Sequence, residues 1–216
     1  MIGNIFDPGR ISMWLLQLAL LAPAILIAVT FHEFAHGYVA YLLGDPTAKE
    51  RGRLSLNPLR HLDPLGTLMF VIFRFGWGKP VPVDNRHFKE PRWGMAVVSL
   101  AGPATNFTMA ALLGLLLKTH VVGVSAAGNP TSLFAVFIFM TAQINIYLGV
   151  LNLLPLPPLD GSRLVSALLP ERLLKQYQAI EGYGIAIIFI AIFVFPGSLA
   201  RIFEPFVSFF QRLFLV

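Results

Sequence analysis

Residues 13–31 form a run of 19 positions without a charged side chain, and His32, Glu33 and His36 follow at once. A helix rises about 1.5 Å per residue, so this run nearly matches a hydrocarbon core about 30 Å thick. In lipid such a run must satisfy its backbone internally, which leaves a helix as the natural solution. Ionisable residues at the end of a membrane helix are costly and mark a functional site. On a helix His32 and His36 stand at i and i+4, so both imidazoles project from one face and can share a zinc ion. Glu33 lies beside them, where a carboxylate can take a proton from a water activated by the metal. The bland alternative is a surface helix with two histidines by chance, and the apolar setting weighs against it.

Composition agrees with a membrane solvent. The chain is 216 residues long, enough for one domain or at most two, and it is 56% hydrophobic and only 12% charged. Soluble domains carry about 25% charged residues, so a soluble protein of this size could not hide so much apolar surface. The net charge of +5 is read as a topology signal, since no basic cluster with interleaved aromatics supports nucleic-acid binding. There is no cysteine, hence no disulfide and no thiolate metal site. The N-terminus is not expected to be a cleavable signal, because its positive region is only Arg10, offset by Asp7.

The first helix is expected over 13–43, long enough to tilt, bend near Pro23 or protrude, with Gly44-Asp45-Pro46 as its stop. Uncharged spans follow at 93–117 and 133–154, and a fourth apolar run at 182–200 is interrupted by Pro196. Ser99, Gly102 and Asn106 share one helical stripe, as do Asn145, Gly149 and Asn152, and Gly102 permits close approach of a neighbouring helix. Residues 202–216 are apolar but carry Glu204, Pro205 and Arg212, which suits an interfacial helix or one paired back on the bundle. Between 66 and 83 the pattern favours a short re-entrant or interfacial β-hairpin, with two extended runs around a glycine turn in 73–83. A short amphipathic helix is the alternative.

Nine of the 16 Lys and Arg lie between Lys49 and Arg92, and Arg163, Arg172 and Lys175 follow the third span. The connection 119–132 has none. By the positive-inside rule 45–92 and 155–181 are cytoplasmic and 119–132 is outside. The end of the His32/His36 helix and the end of the third span therefore share a side. A catalytic zinc takes three protein ligands and keeps a position for water. The strong candidate on that side is Asp160, in Asn152-Leu153-Leu154-Pro155-Leu156-Pro157-Pro158-Leu159-Asp160-Gly161, where the prolines turn the backbone. Its structural alternative is an N-cap of the following segment. His61 and His87 are weaker ligand candidates, more simply read as solvated, and His120 belongs to the outer side. Asn106 and Asn145 suit interhelical hydrogen bonds.

His32-Glu33-x-x-His36 in one membrane helix, with Asn152-x-x-Pro155 running on to Asp160-Gly161 after another, resembles the site-2 protease family of intramembrane zinc metalloproteases. Gly102-Pro103-x-x-Asn106 between them also matches. The resemblance covers roughly residues 30–161. It implies one Zn2+ per chain held by His32, His36 and Asp160, Glu33 as general base, and Asn152 binding substrate or polarising the scissile carbonyl. It differs from many relatives in showing no PDZ-like or CBS-like domain and no spanning helix before the histidines, so it looks like a minimal form.

The expected fold is an all-α polytopic membrane protein with about four to five transmembrane or membrane-embedded helices. A single integral-membrane metalloprotease domain fills 1–216, with its catalytic core at about 13–161 and C-terminal membrane segments at 182–216. The expected activity is hydrolysis of peptide bonds in or near transmembrane segments of membrane-protein substrates. The setting is a bacterial or archaeal cell membrane, with the site towards the cytoplasm and the lipid bilayer and a transmembrane protein or peptide as partners. A non-proteolytic zinc scaffold would not need Glu33. A metal or proton transporter would place ionisable residues in several spans, and the second, third and fourth carry none.

Overall fold

The computed structural model describes residues 8–73, 76–125, 128–194 and 197–215. In chain order its α-helices are α1 (Pro8–Leu42), α2 (Thr47–Glu50), α3 (Pro64–Phe73), α4 (Pro91–Lys118), α5 (Leu133–Asn152), α6 (Gly161–Leu168), α7 (Glu171–Ala179), α8 (Gly184–Phe193) and α9 (Ser198–Phe214). Three are long and apolar enough to cross a membrane: Leu15–Leu42 of α1, all of α4 and all of α5. The protein is a mostly helical membrane protein. Among the described residues there is no sheet, only the isolated bridges Leu62–Gly78 and Val124–Pro130.

The three long helices form the body of the fold, held by small and amide-bearing residues. Without a hydrophobic drive between helices in lipid, close packing and interhelical hydrogen bonds hold such a bundle. Asn106 Nδ2 of α4 donates to Ala28 O of α1 (3.2 Å) and to Asn145 Oδ1 of α5 (2.8 Å). His36 Nδ1 of α1 meets Val98 O of α4 at 2.8 Å. Position numbers rise along α1 as they fall along α4, so the two run antiparallel. The Asn145 reading as an interhelical partner is what the fold contains. Gly149 of α5 abuts the Phe107 ring, where a Cβ would come to 3.0 Å.

One expectation needs correction. The hairpin between 66 and 83 does not form among the described residues, because its first half is α3. Asp63 Oδ1 accepts from Gly66 N–H (2.8 Å) and Pro64 stands at the first helical position, a strong helix start that overrides the β-branched run after it. Arg74 and Phe75 lie outside the described residues, and 76–84 continues as an extended strap.

Among the described residues three helices are long and apolar enough to span, where the sequence reading counts four to five transmembrane or membrane-embedded helices. The apolar run 182–200 is divided, with α8 reaching only Phe193 and α9 starting after Gly197, which takes a left-handed φ of 84°. Ten residues of α8 rise only about 15 Å. For α9 the second of the two sequence readings holds: it pairs back on the bundle. Phe210 stacks on Phe107 with centroids 4.1 Å apart, and Gln211 Nε2 donates to Gln143 Oε1 (2.6 Å). Gly114 lets the Phe214 backbone in, since a Cβ there would lie 2.2 Å from Phe214 O.

Candidate metal centre

The site begins with the i, i+4 pair on α1. His32 and His36 are both buried, their Nε2 atoms 3.0 Å apart. Each is oriented through its other nitrogen. Val98 O is a carbonyl and can only accept, so His36 Nδ1 carries the hydrogen of that bond. Ala28 O likewise compels the Asn106 nitrogen to face it, which turns Oδ1 towards His32 Nδ1, 2.6 Å away. His32 Nδ1 is therefore the donor there. Asn145 Nδ2 donates in turn to Thr141 O (2.8 Å), so the buried amide chain is paired throughout. Both neutral imidazoles are left with bare lone pairs on Nε2, pointing at each other.

Asp160 supplies the third arm. After α5 the prolines at 155, 157 and 158 prevent helix continuation, and the backbone doubles back. Gly161 makes the return possible, since a Cβ there would fall 2.2 Å from Leu153 O. Tyr177 of α7 donates its hydroxyl to Pro155 O (2.8 Å), and Gly184 packs on the Pro157 backbone. Arg92 at the start of α4 donates to Ser166 O (2.7 Å) and Leu169 O at the end of α6, holding that helix against α4. Asp160 occupies the N-cap position of α6 but makes no side-chain capping bond. Its Oδ2 stands 3.1 Å from His32 Nε2 and 3.2 Å from His36 Nε2.

Asp160 Oδ2 is buried and receives no well-formed hydrogen bond, because each facing Nε2 presents a lone pair. Three ligand atoms within 4.8 Å of one another, all presenting lone pairs, require positive charge among them. Two neutral imidazoles and one carboxylate fit a catalytic zinc. Gly102 faces the pair directly, where a Cβ would lie 2.5 Å from both His32 Cε1 and His36 Nε2.

The remaining candidates are placed differently. Glu33 is half-buried and its Oε2 accepts from Val81 N–H at 2.8 Å. Asn152 donates its amide to Leu148 O of its own helix (3.0 Å). His61 is buried rather than solvated, bonding Ser55 O through Nε2 (2.6 Å), and among the described residues it joins no metal cluster. His87 Nδ1 lies 3.2 Å from Asp45 Oδ1, and His120 is exposed at the opposite end of α4. Sequence reasoning missed Val98 and Val81, because a main-chain group that orients a side chain leaves no residue-type signature.

The chain belongs to Peptidase family M50, the site-2 protease family. The family model matches residues 118–195, which include α5 and Asp160. The chain is 42% identical over 173 residues to "Putative zinc metalloprotease YwhC" of Bacillus subtilis, covering 80% of this chain and 78% of that protein. It is 36% identical over 143 residues to "Putative zinc metalloprotease Rip2" of Mycolicibacterium smegmatis, covering 63% of this chain and 52% of the relative. "Putative zinc metalloprotease Rip3" of Mycobacterium tuberculosis matches at 38% over 76 residues, 35% of this chain and 18% of the relative. No solved structure matches the chain.

Proposed function

We propose that this protein hydrolyses peptide bonds in or near transmembrane segments of membrane-protein substrates, acting as a single integral-membrane unit with its catalytic core at about 13–161. The observation that carries the reading is the convergence of His32, His36 and Asp160 on one point, with two of them on a helix apolar enough to span. These three hold the Zn2+. Bound there, zinc polarises water and lowers its pKa towards about 7.

Glu33, one position on from His32, takes the proton of the attacking water and returns it to the leaving amine. Asn106 and Val98 O hold the imidazoles in the tautomer that leaves Nε2 free for the metal. Asn152 binds substrate or donates to the developing oxyanion, for which its amide would turn from Leu148 O. A transmembrane substrate must first unwind, because a helical backbone hides its carbonyls in its own bonds. His36 lies six residues before the end of α1 at Leu42, about 9 Å, so the site sits a short way below one membrane face. The positive-inside rule makes that face cytoplasmic, and the cell membrane is the setting.

The test is detergent-purified protein with a single-span model transmembrane substrate, wild type beside Glu33→Gln, with metal analysis of both. We expect about one zinc per chain in both and cleavage only by wild type. Cleavage by Glu33→Gln at the wild-type rate removes the base assignment. Full metal occupancy in His36→Ala removes the ligand assignment.

A further inference from the structure

A second set of contacts lies on α1 beside the metal ligands, and neither the zinc site nor the packing of α4 and α5 requires it. Val29, Glu33 and Gly37 stand at i, i+4 and i+8 and form one stripe of the helix. The segment Gly78-Lys79-Pro80-Val81-Pro82-Val83-Asp84 runs along that stripe. Gly78 abuts Val29, where a Cβ would come 2.9 Å from Val29 Cγ1. The Val81 side chain covers Gly37, where a Cβ would come 3.1 Å from Val81 Cγ1. Between these two contacts Val81 N–H donates to Glu33 Oε2 at 2.8 Å.

The sequence of the strap singles out that one donor. Proline has no N–H and disfavours the helical region for the residue before it, so Lys79 and Val81 are both held extended. Lys79 N–H is used by His61 O (2.8 Å), and Lys79 O accepts from Arg53 Nη2 (2.6 Å). At the far end Asp84 N–H donates to Asp45 Oδ2 (2.7 Å), a carboxylate with no exposed surface. From 79 to 82 the one remaining N–H is that of Val81, and it meets the carboxylate. A hydrogen bond to an ionised acceptor is short, directional and about twice as strong as one between neutral groups.

We propose that the Val81 amide is a positioning group for Glu33. It fixes one carboxylate oxygen so that the second is presented to the attacking water, and the strap is the element that carries it there. The inference rests on Glu33 being the general base, and it adds to that reading which group sets the geometry of the base. A carboxylate on a rotatable side chain loses orientation when unbraced. Partners that orient the ligands of a metal site typically contribute about 10- to 100-fold in metal affinity or activity, and the same scale is expected for a group that orients the base beside them.

The first test needs no substrate. In detergent-solubilised protein labelled with 15N-valine, the Val81 amide resonance is assigned by its loss in Val81→Ile. Its proton is expected at low field and to move upfield in Glu33→Gln, where the charge of the acceptor is gone. A resonance indifferent to Glu33→Gln overturns the proposal. The second test replaces the Val81 amide by an ester, which deletes the N–H and keeps the side chain. With the single-span model transmembrane substrate as the probe, kcat should fall about 10- to 100-fold while KM, zinc content and thermal midpoint stay at wild-type values. Wild-type kcat overturns the proposal, and so does an activity loss matched by loss of zinc or of stability, which is the signature of a merely structural contact. Glu33→Gln in the unaltered backbone separates the two readings. If it still cleaves, the base assignment fails; if it is inactive while the ester protein is fully active, only the positioning role fails.

Discussion

At the residue scale the room available to the imidazoles is set by an atom that is missing. A methyl group at 102 would sit 2.5 Å from both rings, and overpacking of this kind costs about 1–3 kcal/mol when the neighbours must move. Gly102→Ala is therefore expected to displace His32 and His36 and lower zinc content well below one per chain, read by metal analysis. Full zinc and full activity in that variant would mean the rings have slack that the packing denies. Asp160→Asn makes a different point. Asn caps a helix about as well as Asp, and α6 receives no cap from this side chain, so folding and membrane insertion should be untouched. Zinc affinity and cleavage should both fall steeply, because a neutral amide replaces the negative charge that faces two lone pairs. Near-normal cleavage by Asp160→Asn would remove it from the ligand set. The histidine pair and Asp160 were legible as residue types at telling positions; Val98 O was not, since any residue can offer a carbonyl.

At the element scale the end of α1 is tied to the strap by Asp45, which the sequence marks only as part of a helix stop. Its carboxylate has no exposed surface, accepts from Thr47 N–H (3.0 Å) and Asp84 N–H (2.7 Å), and faces His87. Burial pushes this carboxyl up, but the Thr47 hydroxyl, the two N–H groups and His87 outweigh it and hold it below the usual carboxylate range. The folded state thus binds fewer protons than the unfolded chain near an ordinary Asp pKa of about 3.9. The stabilisation is fully present above that pH and is lost as pH falls through the lower, folded value. Wild type and Asp45→Asn melted in detergent from about pH 6 to about pH 3 should differ most at the upper end and converge at the lower. A difference that stays constant across this range would mean that charge at 45 contributes nothing. The hairpin shows the opposite failure of local reading. The helix start at Asp63-Pro64 was present in the chain, and glycine and aromatic residues further on masked it.

At the scale of the whole molecule, α1 and α4 run antiparallel and α4 leads through 119–132 into α5, so that connection lies at the end of α4 away from the metal ligands. The chain has no cysteine of its own, so single cysteines report cleanly. Cysteines placed at Ser55 and Ser125 should react with a membrane-impermeant reagent from opposite faces, with Ser55 on the cytoplasmic side where nine of the 16 basic residues cluster. Reaction of both from one face would contradict three spans and separate Asp160 from the histidines. The C-terminal part adds to the bundle without adding a long span, because α9 lies on α4 and α5 through Phe210 and Gln211 while α8 stays short.

Hydropathy and spacing alone determined the membrane solvent, the three long helices, the i, i+4 histidine pair and the side on which Asp160 had to lie. These are readable because a bilayer imposes one length on every span and a helix imposes one period on every face. The tertiary structure alone decided how the site is oriented. The tautomers of His32 and His36 follow from Asn106 and a backbone carbonyl in another helix, the clearance follows from Gly102, and the placing of Glu33 follows from an amide about fifty positions away in sequence. Such groups act through their position in space, and main-chain atoms are the same at every residue, so no pattern along the chain announces them.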